Sequence, residues 1–78
     1  MKKIAVLSIM IKDKSSVEAV NKLLHEAGDD ILGRMGLPIK AHDLSIISIV
    51  IETCEEHLNA LVESLDKLPG VQVKFVKE

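Results

Sequence analysis

The sequence contains almost no aromatic residues: Phe75 is the only one among 78 residues, and Trp and Tyr are absent. Modules that bind single-stranded nucleic acid stack bases on aromatic side chains, so this composition argues against a domain of that kind. Ten Lys and Arg residues stand against twelve Asp and Glu, for a net charge of −2. Such a chain lacks the basic surface of a stand-alone DNA-binding domain. We therefore expect no direct contact with nucleic acid.

Cysteine and long apolar segments are also scarce. The single cysteine, Cys54, excludes an internal disulfide framework and a zinc finger built from several cysteines. No segment approaches the roughly 18 consecutive apolar residues that a membrane span requires. The apolar start of the chain is interrupted at Ser8 and followed by charged residues at 12–14, unlike a signal peptide with its small-residue cleavage site. These features predict a cytoplasmic protein, intact from Met1, with no membrane association.

Aliphatic residues supply most of the hydrophobic content, which is 47% of the chain. A chain of this length has room for one hydrophobic core, so we expect a single domain over residues 1–78. Two β-branched segments, Lys3–Ile11 and Leu44–Ile51, are apolar on both faces and predict central strands of a sheet. Asp30–Ile39 contains two glycines and a proline, and Val71–Val76 contains Lys74 and is followed by Lys77, so both predict edge strands.

Two amphipathic helices are predicted between these strands. Ser15 would cap the first and Thr53 the second, each with a glutamate three positions later in a capping box. Gly28 would end the first helix in a left-handed conformation, and the Pro-Gly pair at 69–70 would end the second. The apolar stripes comprise Val17, Val20, Leu23, Leu24 and Ala27 in the first helix, and Leu58, Leu61, Val62, Leu65 and Leu68 in the second.

The order strand-helix-strand occurs twice, which predicts an α+β, ferredoxin-like βαββαβ fold with a four-stranded antiparallel sheet and two helices on one face. Right-handed crossovers place the two aliphatic strands in the centre and the two poorer strands at the edges. The face without helices would then expose aliphatic side chains from the central strands. Because large exposed apolar patches usually mark interfaces, we expect a homodimer or higher homo-oligomer that forms through this sheet face.

Motifs for catalysis are missing. The chain has no glycine-rich phosphate loop and no serine in a nucleophile elbow. Acidic pairs occur at 29–30 and 55–56, but adjacent side chains on a helix do not share a face. We therefore expect a protein that is not an enzyme and that has no cofactor.

Cys54 and His57 are three positions apart at the start of the predicted second helix and could share a metal ion. His42 or Asp43 could add a ligand from a nearby turn. Structural metal sites usually need four ligands, so we expect no metal and a reduced Cys54. A metal-binding protein that uses Cys54 and His57 is kept as an alternative.

The hexapeptide Gly-Arg-Met-Gly-Leu-Pro at 33–38 is the strongest candidate binding segment. Arg34 is the only arginine among the ten basic residues, and Gly33 and Gly36 allow close backbone approach on either side. A guanidinium group in this setting suits bidentate capture of a carboxylate, a phosphate or a similar anion. Arg34 could instead pair with an acidic residue of a neighbouring subunit.

The same hexapeptide resembles the signature of the small proteins called iron-only hydrogenase system regulators. The segments at 3–8 and 68–74 are similar to the two ends of that family. The resemblance covers essentially the whole chain. It implies an ACT-like ferredoxin fold, oligomerisation and a role in regulation, including transcriptional regulation, around the maturation or expression of [FeFe]-hydrogenase.

The chain is more remotely similar to the C-terminal effector domain of the nickel-responsive repressor. His25 corresponds to a helix-end histidine of that domain, but Arg34 and Gly36 stand where its paired histidines should be, and Leu44 stands near its cysteine. The nickel site is therefore not expected. Since the DNA-binding segment of the repressor has no counterpart, the resemblance implies action through a partner protein.

In ACT-like domains, effectors often bind near the first strand-to-helix turn, which corresponds to residues 12–16. Asp13 matches the usual acidic position, although the customary glycine before the helix is lacking. The resemblance thus implies an unidentified amino-acid-like effector near Asp13 and Ser15. The residue pattern adds Gly33, Arg34 and Gly36 as candidate contacts for a small anionic effector. A ligand-sensing regulatory module is the main hypothesis, and a purely structural oligomerisation module is the alternative.

Overall fold

The computed structural model describes residues 1–78. Four strands and two α-helices follow one another as β1 (Lys3–Ile11), α1 (Val17–Glu26), β2 (Ile31–Ile39), β3 (Leu44–Thr53), α2 (Glu55–Asp66) and β4 (Val71–Lys77). The strands form one antiparallel sheet in the order β2-β3-β1-β4. This order confirms the ferredoxin-like α+β prediction, with the two aliphatic strands in the centre. Neither helix has the length and hydrophobicity that crossing a membrane would require.

The hydrophobic core lies between one face of the sheet and the two helices. Alternate residues of the central strands are buried there, as the period of two along a strand requires. Burial of one aliphatic side chain stabilises a fold by about 1.5–3 kcal/mol, so this layer is the main source of stability. Its members are Ala5, Leu7, Ile9, Ile11, Ile47, Ile49, Ile51 and Val71 from the sheet, with Val20, Leu24, Leu58, Leu61 and Leu65 from the helices.

The opposite face of the sheet carries no helix, and we refer to it as the open face. Five of the eight exposed large hydrophobic residues lie there, namely Val6, Met35, Leu37, Val50 and Val76. Ser8 and Ser48 are paired across the two central strands in the middle of this face. The open face is therefore largely apolar, as the two-sided hydrophobic pattern of the central strands predicted, but its centre is polar.

The start of α1 differs from the predicted capping box. Asp13, not Ser15, caps a short 3-10 turn at Lys14–Ser16, and α1 begins at Val17. The prediction was wrong because the Ser15 hydroxyl donates to the carboxylate of Asp13 instead of accepting from the helix backbone.

The start of α2 also differs. Thr53 still belongs to β3, and its buried hydroxyl donates to Oδ2 of Asp30 at 2.9 Å. The N-cap of α2 is Cys54, whose side chain makes no capping hydrogen bond. The capping prediction for Thr53 was wrong because a partner distant in sequence takes up its hydroxyl group.

Left-handed backbone occurs at a different glycine from the one predicted for the end of α1. Gly28 begins a 3-10 turn at Gly28–Asp30, so β2 starts at Ile31. Gly70 has a φ of 68°, and a Cβ atom placed there would lie 2.6 Å from Cβ of Asp13. Gly70 is therefore required both by its conformation and by its close contact with the turn that precedes α1.

Candidate functional site

Arg34 lies in the middle of the edge strand β2, on the helix side of the sheet. It is paired with the buried Ile49 of β3, and paired residues of neighbouring strands point to the same face. Its Nη2 atom donates a hydrogen bond to Oδ1 of Asn21 on α1 at 3.1 Å. No carboxylate of the chain forms an ion pair with Arg34. Since a guanidinium group has five N–H donors, most of its donors are free to bind a ligand.

Arg34 and α1 form a shallow groove, which we call the α1 groove. Glu18, Lys22 and His25 are spaced three or four positions apart and so lie on one stripe of α1. Two cationic side chains, Lys22 and Arg34, and one acidic side chain line this groove together with the histidine. Such a surface favours anionic ligands. The lining residues are Ser15, Glu18, Ala19, Asn21, Lys22, His25 and Arg34.

Asn21, Lys22 and His25 were not predicted as members of a site. Their helical spacing was visible in the sequence, but it shows only that they share a stripe of α1 with Glu18. That this stripe faces Arg34 of β2 depends on how the helix packs on the sheet, which the spacing does not specify. The hydrogen bond between Asn21 and Arg34 is the observation that joins the two elements.

Asp13 and Ser15 bind chiefly to each other. Oδ1 of Asp13 accepts from the Ser15 hydroxyl at 2.7 Å and from the Ser15 backbone N–H at 2.9 Å. These hydrogen bonds, that of the hydroxyl first, lower the pKa of Asp13 below its usual value. Asp13 is therefore ionised at neutral pH, and it reaches the α1 groove only through Ser15.

The first strand-to-helix turn is also held against the turn before β4. The backbone N–H of Lys12 donates to the carbonyl of Gly70 at 2.8 Å, and the buried hydroxyl of Ser16 donates to the carbonyl of Pro69 at 2.6 Å. The turn is thus closed by protein on the side of β4, and Ser15 borders the end of the α1 groove.

Gly33 and Gly36 lie on opposite faces of β2. Gly36 shares the face of Arg34, whereas Gly33 is paired with Val50 on the open face. A Cβ atom on either glycine would meet no other atom within 4 Å, and neither glycine has a positive φ. The fold of a single chain therefore gives no reason for glycine at these two positions.

The residues considered for a metal site are not brought together. Ten residues of β3, about 33 Å of extended chain, separate Cys54 from the turn at 42–43, so the expectation that this turn lies nearby was wrong. Asp43 forms an ion pair with Lys14 at 3.0 Å. Cys54 and His57 line different grooves. The chain contains no group of three His, Cys, Asp or Glu side chains placed to hold a metal ion.

Cys54 lies in a cavity of about 590 Å³ at the start of α2. Glu55 in this cavity accepts a hydrogen bond from Nζ of Lys77. This bond, and secondarily the charge of Lys77, lowers the pKa of Glu55. The cavity thus contains an acid and a base that are already paired with each other, whereas the Arg34 guanidinium of the α1 groove has no carboxylate partner.

A family model described as "Iron-only hydrogenase system regulator, putative", the TM1266-like family, matches residues 3–75. The chain belongs to the TM1266-like family. The solved structure of uncharacterized protein TM1266 from Thermotoga maritima is 33% identical to this TM1266-like chain, with coverage of 99% of this chain and 98% of that chain and a TM-score of 0.95. These matches confirm the resemblance carried by the hexapeptide at 33–38 and the ACT-like ferredoxin fold that it implied.

Other solved structures share the fold of this TM1266-like protein. The C-terminal domain of the MgtC protein from Mycobacterium tuberculosis is 15% identical, with coverage of 97% of this chain and 87% of that chain and a TM-score of 0.76. CPII, a nitrogen regulatory PII-like protein from Thiomonas intermedia K12 bound to ADP, AMP and bicarbonate, is 23% identical, with coverage of 100% and 93% and a TM-score of 0.53. Likeness at these identities shows the fold alone. No curated protein sequence matches the chain significantly.

Proposed function

We propose that this TM1266-like protein is a non-enzymatic, ligand-sensing regulatory module of an iron-only hydrogenase system. It captures a small anionic effector with Arg34 and transmits the bound state to a partner protein. One observation carries the proposal: the Arg34 guanidinium is exposed, is oriented by Asn21, and has no carboxylate of its own chain to neutralise it. An oriented, unneutralised guanidinium favours bidentate binding of a carboxylate or phosphate group.

The α1 groove supports an effector with one strongly anionic end. We place that end at Arg34, beside Lys22, and the remainder of the effector toward Ser15, whose hydroxyl is held by Asp13. Gly33 and Gly36 leave the backbone on both sides of Arg34 uncovered. The CPII structure supports the ligand class, because that regulatory protein of the same fold is bound to anions, namely ADP, AMP and bicarbonate.

The proposal includes a homo-oligomer that forms through the open face. Four strands spaced about 4.8 Å apart, with four rows of outward side chains about 7 Å apart, give this face a projected area of roughly 500 Å². The whole face, with Ser8 and Ser48 included, is thus comparable in size with the largest apolar patches that monomeric proteins expose. Packing two such faces together would remove Val6, Val50 and Val76 from water.

The absence of catalysis is also part of the proposal, and the charged groups support it. The carboxyl groups of Asp13 and Glu55 both have a lowered pKa because each accepts hydrogen bonds on the surface. A general acid needs the opposite shift, a raised pKa in an apolar setting. Both carboxylates thus behave as structural hydrogen-bond acceptors.

Native mass spectrometry tests the proposal directly. We expect protein purified anaerobically from its own host to be a homo-oligomer that carries a reproducible added mass, and Arg34→Gln to lose that mass while keeping its fold. Lys40→Gln, which removes an exposed cation from a turn outside the α1 groove, is the matched control and should keep the added mass. Retention of the same added mass by Arg34→Gln would contradict anion capture.

A purely structural interaction module is the second candidate function. The open face favours it, because an apolar sheet surface is sufficient for assembly without any effector. An oligomer without added mass, whose backbone NMR signals around Arg34 do not move when phosphate or carboxylates are added, would establish this candidate instead.

A further inference from the structure

A second groove lies between the two helices, on the side of α1 that faces α2. We call it the interhelix groove, and its volume is about 460 Å³. None of its lining residues belongs to the α1 groove. Those from α1 and the turn after it are Leu23, Glu26, Ala27, Asp29 and Asp30, and those from α2 are His57, Ala60, Leu61 and Ser64.

The floor of the interhelix groove is aliphatic. Leu61 is buried in the hydrophobic core, and Leu23 and Ala27 pack partly buried against that core. Ala27 and Ala60 have short side chains, one on each wall, so the space between the helices stays open. An apolar floor of this kind can cover the hydrocarbon stem of a long side chain whose charged head stays near the rim.

The rim of the groove at the end of α1 is acidic. Glu26 lies in the last turn of α1 and Asp29 in the turn that follows, and both are exposed. Neither carboxylate forms an ion pair within the chain. Asp30 completes the rim, with Oδ2 held by the buried Thr53 hydroxyl at 2.9 Å and Oδ1 at 3.7 Å from Nζ of Lys2. The rim thus has two unneutralised carboxylates beside one whose orientation is fixed.

These carboxylates lie at the end of α1 where negative charge is least favourable. The C-terminal end of a helix carries a partial negative charge that cations stabilise, so Glu26 and Asp29 strengthen the negative potential there. His25 is the only basic residue in the last turn, and it lines the α1 groove instead. The interhelix groove contains one basic residue, His57, against three acidic ones. It is therefore suited to a positively charged occupant.

An arginine side chain fits both the floor and the rim. Its stem packs on apolar surface, and its planar guanidinium binds carboxylates through paired hydrogen bonds. A metal ion does not fit, because no three His, Cys, Asp or Glu side chains are placed to hold one. The single arginine of the chain, Arg34, lines the α1 groove. A second copy of the chain therefore has no other arginine to offer, and the occupant comes from a different protein.

We propose that the interhelix groove is the docking surface for the partner protein, and that the partner inserts an arginine from a basic, amphipathic segment. The guanidinium binds between Glu26 and Asp29, and its stem lies over Ala27 and Ala60. Apolar side chains of the same segment pack on Leu23. This docking rests on the proposed function, because it concerns the partner to which the effector-bound state is transmitted.

Helix α1 joins the docking surface to the effector site. Lys22 and His25 line the α1 groove, and the next residue in each case, Leu23 or Glu26, lines the interhelix groove. A displacement of α1 on effector binding would therefore move both surfaces together. By thermodynamic linkage, a partner that binds the effector-bound state more tightly also raises the affinity for the effector by the same factor.

Titration with a synthetic amphipathic peptide tests the docking surface. The probe is a helical peptide of Leu, Ala and Arg with its arginines on one stripe, followed by backbone NMR at 0.15 M salt, where distant charges are screened. We expect signals of residues 23–30 and 57–64 to shift. The affinity should fall at least tenfold in the double variant Glu26→Gln, Asp29→Asn, because the guanidinium loses both carboxylates.

The matched control for this titration is the double variant Glu63→Gln, Asp66→Asn. It removes the same two charges from the end of α2, outside both grooves, and should bind the peptide like the unaltered protein. Equal losses in the two double variants would overturn the proposal, since the attraction would then be general. Equal affinity for a peptide with lysine in place of every arginine would overturn the assignment of arginine.

A second pair of variants tests the groove by shape without changing its charge. Ala60→Leu fills space between the helices and should weaken peptide binding at least fivefold. Asn59→Leu is the control, because Asn59 is exposed on the same helix but does not line the groove. Unchanged affinity in Ala60→Leu would contradict docking in the groove. Signals of residues 23–30 and 57–64 that move on dilution of the protein alone would show a second copy as the occupant and would also overturn it.

Native mass spectrometry of Arg34→Gln distinguishes this inference from the proposed function. If Arg34→Gln loses the added mass while peptide binding does not depend on Glu26 and Asp29, the docking surface is wrong and anion capture stands. If Arg34→Gln keeps the added mass while peptide binding depends on these two carboxylates, anion capture fails and the docking surface stands.

Discussion

At the residue scale, Gly70 is the position where a side chain is least tolerated. Its φ of 68° is costly for an L-residue, and an added Cβ atom would lie 2.6 Å from Cβ and 2.8 Å from the backbone nitrogen of Asp13. We expect Gly70→Ala to lower the free energy of unfolding by about 2–3 kcal/mol, since left-handed backbone alone costs about 1–2 kcal/mol. Urea denaturation followed by circular dichroism measures the change.

Gly36→Ala is the comparison for this prediction. Because its Cβ atom would meet nothing within 4 Å and its φ is not positive, the change in stability of a single chain should stay within about 0.5 kcal/mol. Equal losses for the two variants would show that the contact with Asp13 is not what requires glycine at position 70.

Arg34 shows what could be predicted at this scale and what could not. Its rarity and the flanking glycines were sufficient to single it out as a candidate anion ligand. The face of the sheet to which it points was not predictable, because that face depends on the bulge between Ile31 and Gly33 and on the register with β3. Its partner Asn21 was missed for the same reason, since the contact joins a strand to a helix 13 positions earlier.

At the element scale, the side-chain hydrogen bond between Thr53 and Asp30 joins the end of β3 to the turn that follows α1. Thr53 is buried, and Asp30 is partly buried with only a distant ion pair to Lys2 at 3.7 Å. We expect Thr53→Val to lower the free energy of unfolding by about 1–2 kcal/mol, because it leaves the partly buried carboxylate of Asp30 without its hydroxyl donor. Chemical denaturation of both proteins measures this difference in unfolding free energy.

Thr53→Ser keeps the hydroxyl group and should recover part of this stability. A double-mutant cycle with Asp30→Asn isolates the interaction from the change in packing. Additive losses in the cycle would mean that the hydrogen bond contributes nothing to stability.

The elements themselves were largely predictable, and their ends were not. The observed β1 coincides with the predicted strand at Lys3–Ile11, and β3 and β4 extend one or two residues beyond the predictions. Strand order followed from apolar content and right-handed crossovers, because these depend on whole segments. The caps at Ser15 and Thr53 were wrong because a hydroxyl group can satisfy several acceptors, and the acceptor used is set by tertiary contacts.

At the scale of the whole molecule, the proposed assembly depends on the open face. Val50 lies near the middle of this face and is 38% exposed, so a carboxylate there would be tolerated by one chain but not between two packed faces. We expect Val50→Asp to produce monomer if the open face is the only contact between copies. If a second contact also holds the oligomer together, the substitution should halve its mass. Light scattering coupled to size-exclusion chromatography measures the mass.

Ala60→Asp is the control, because it adds the same charge at an exposed position of α2, outside the open face. The mass of the oligomer formed by Ala60→Asp should equal that of the unaltered protein. An unchanged mass for Val50→Asp would remove the open face from the assembly.

The contrast between the two edge strands limits how far such a protein can grow. The β4 edge carries lysine at positions 74 and 77, whereas Arg34 is the only charged residue of the β2 edge. A head-to-tail arrangement, β2 on β4, would repeat without end and build a filament. Because the lysines of β4 discourage the addition of another strand, the sheet is protected against growth into a fibril.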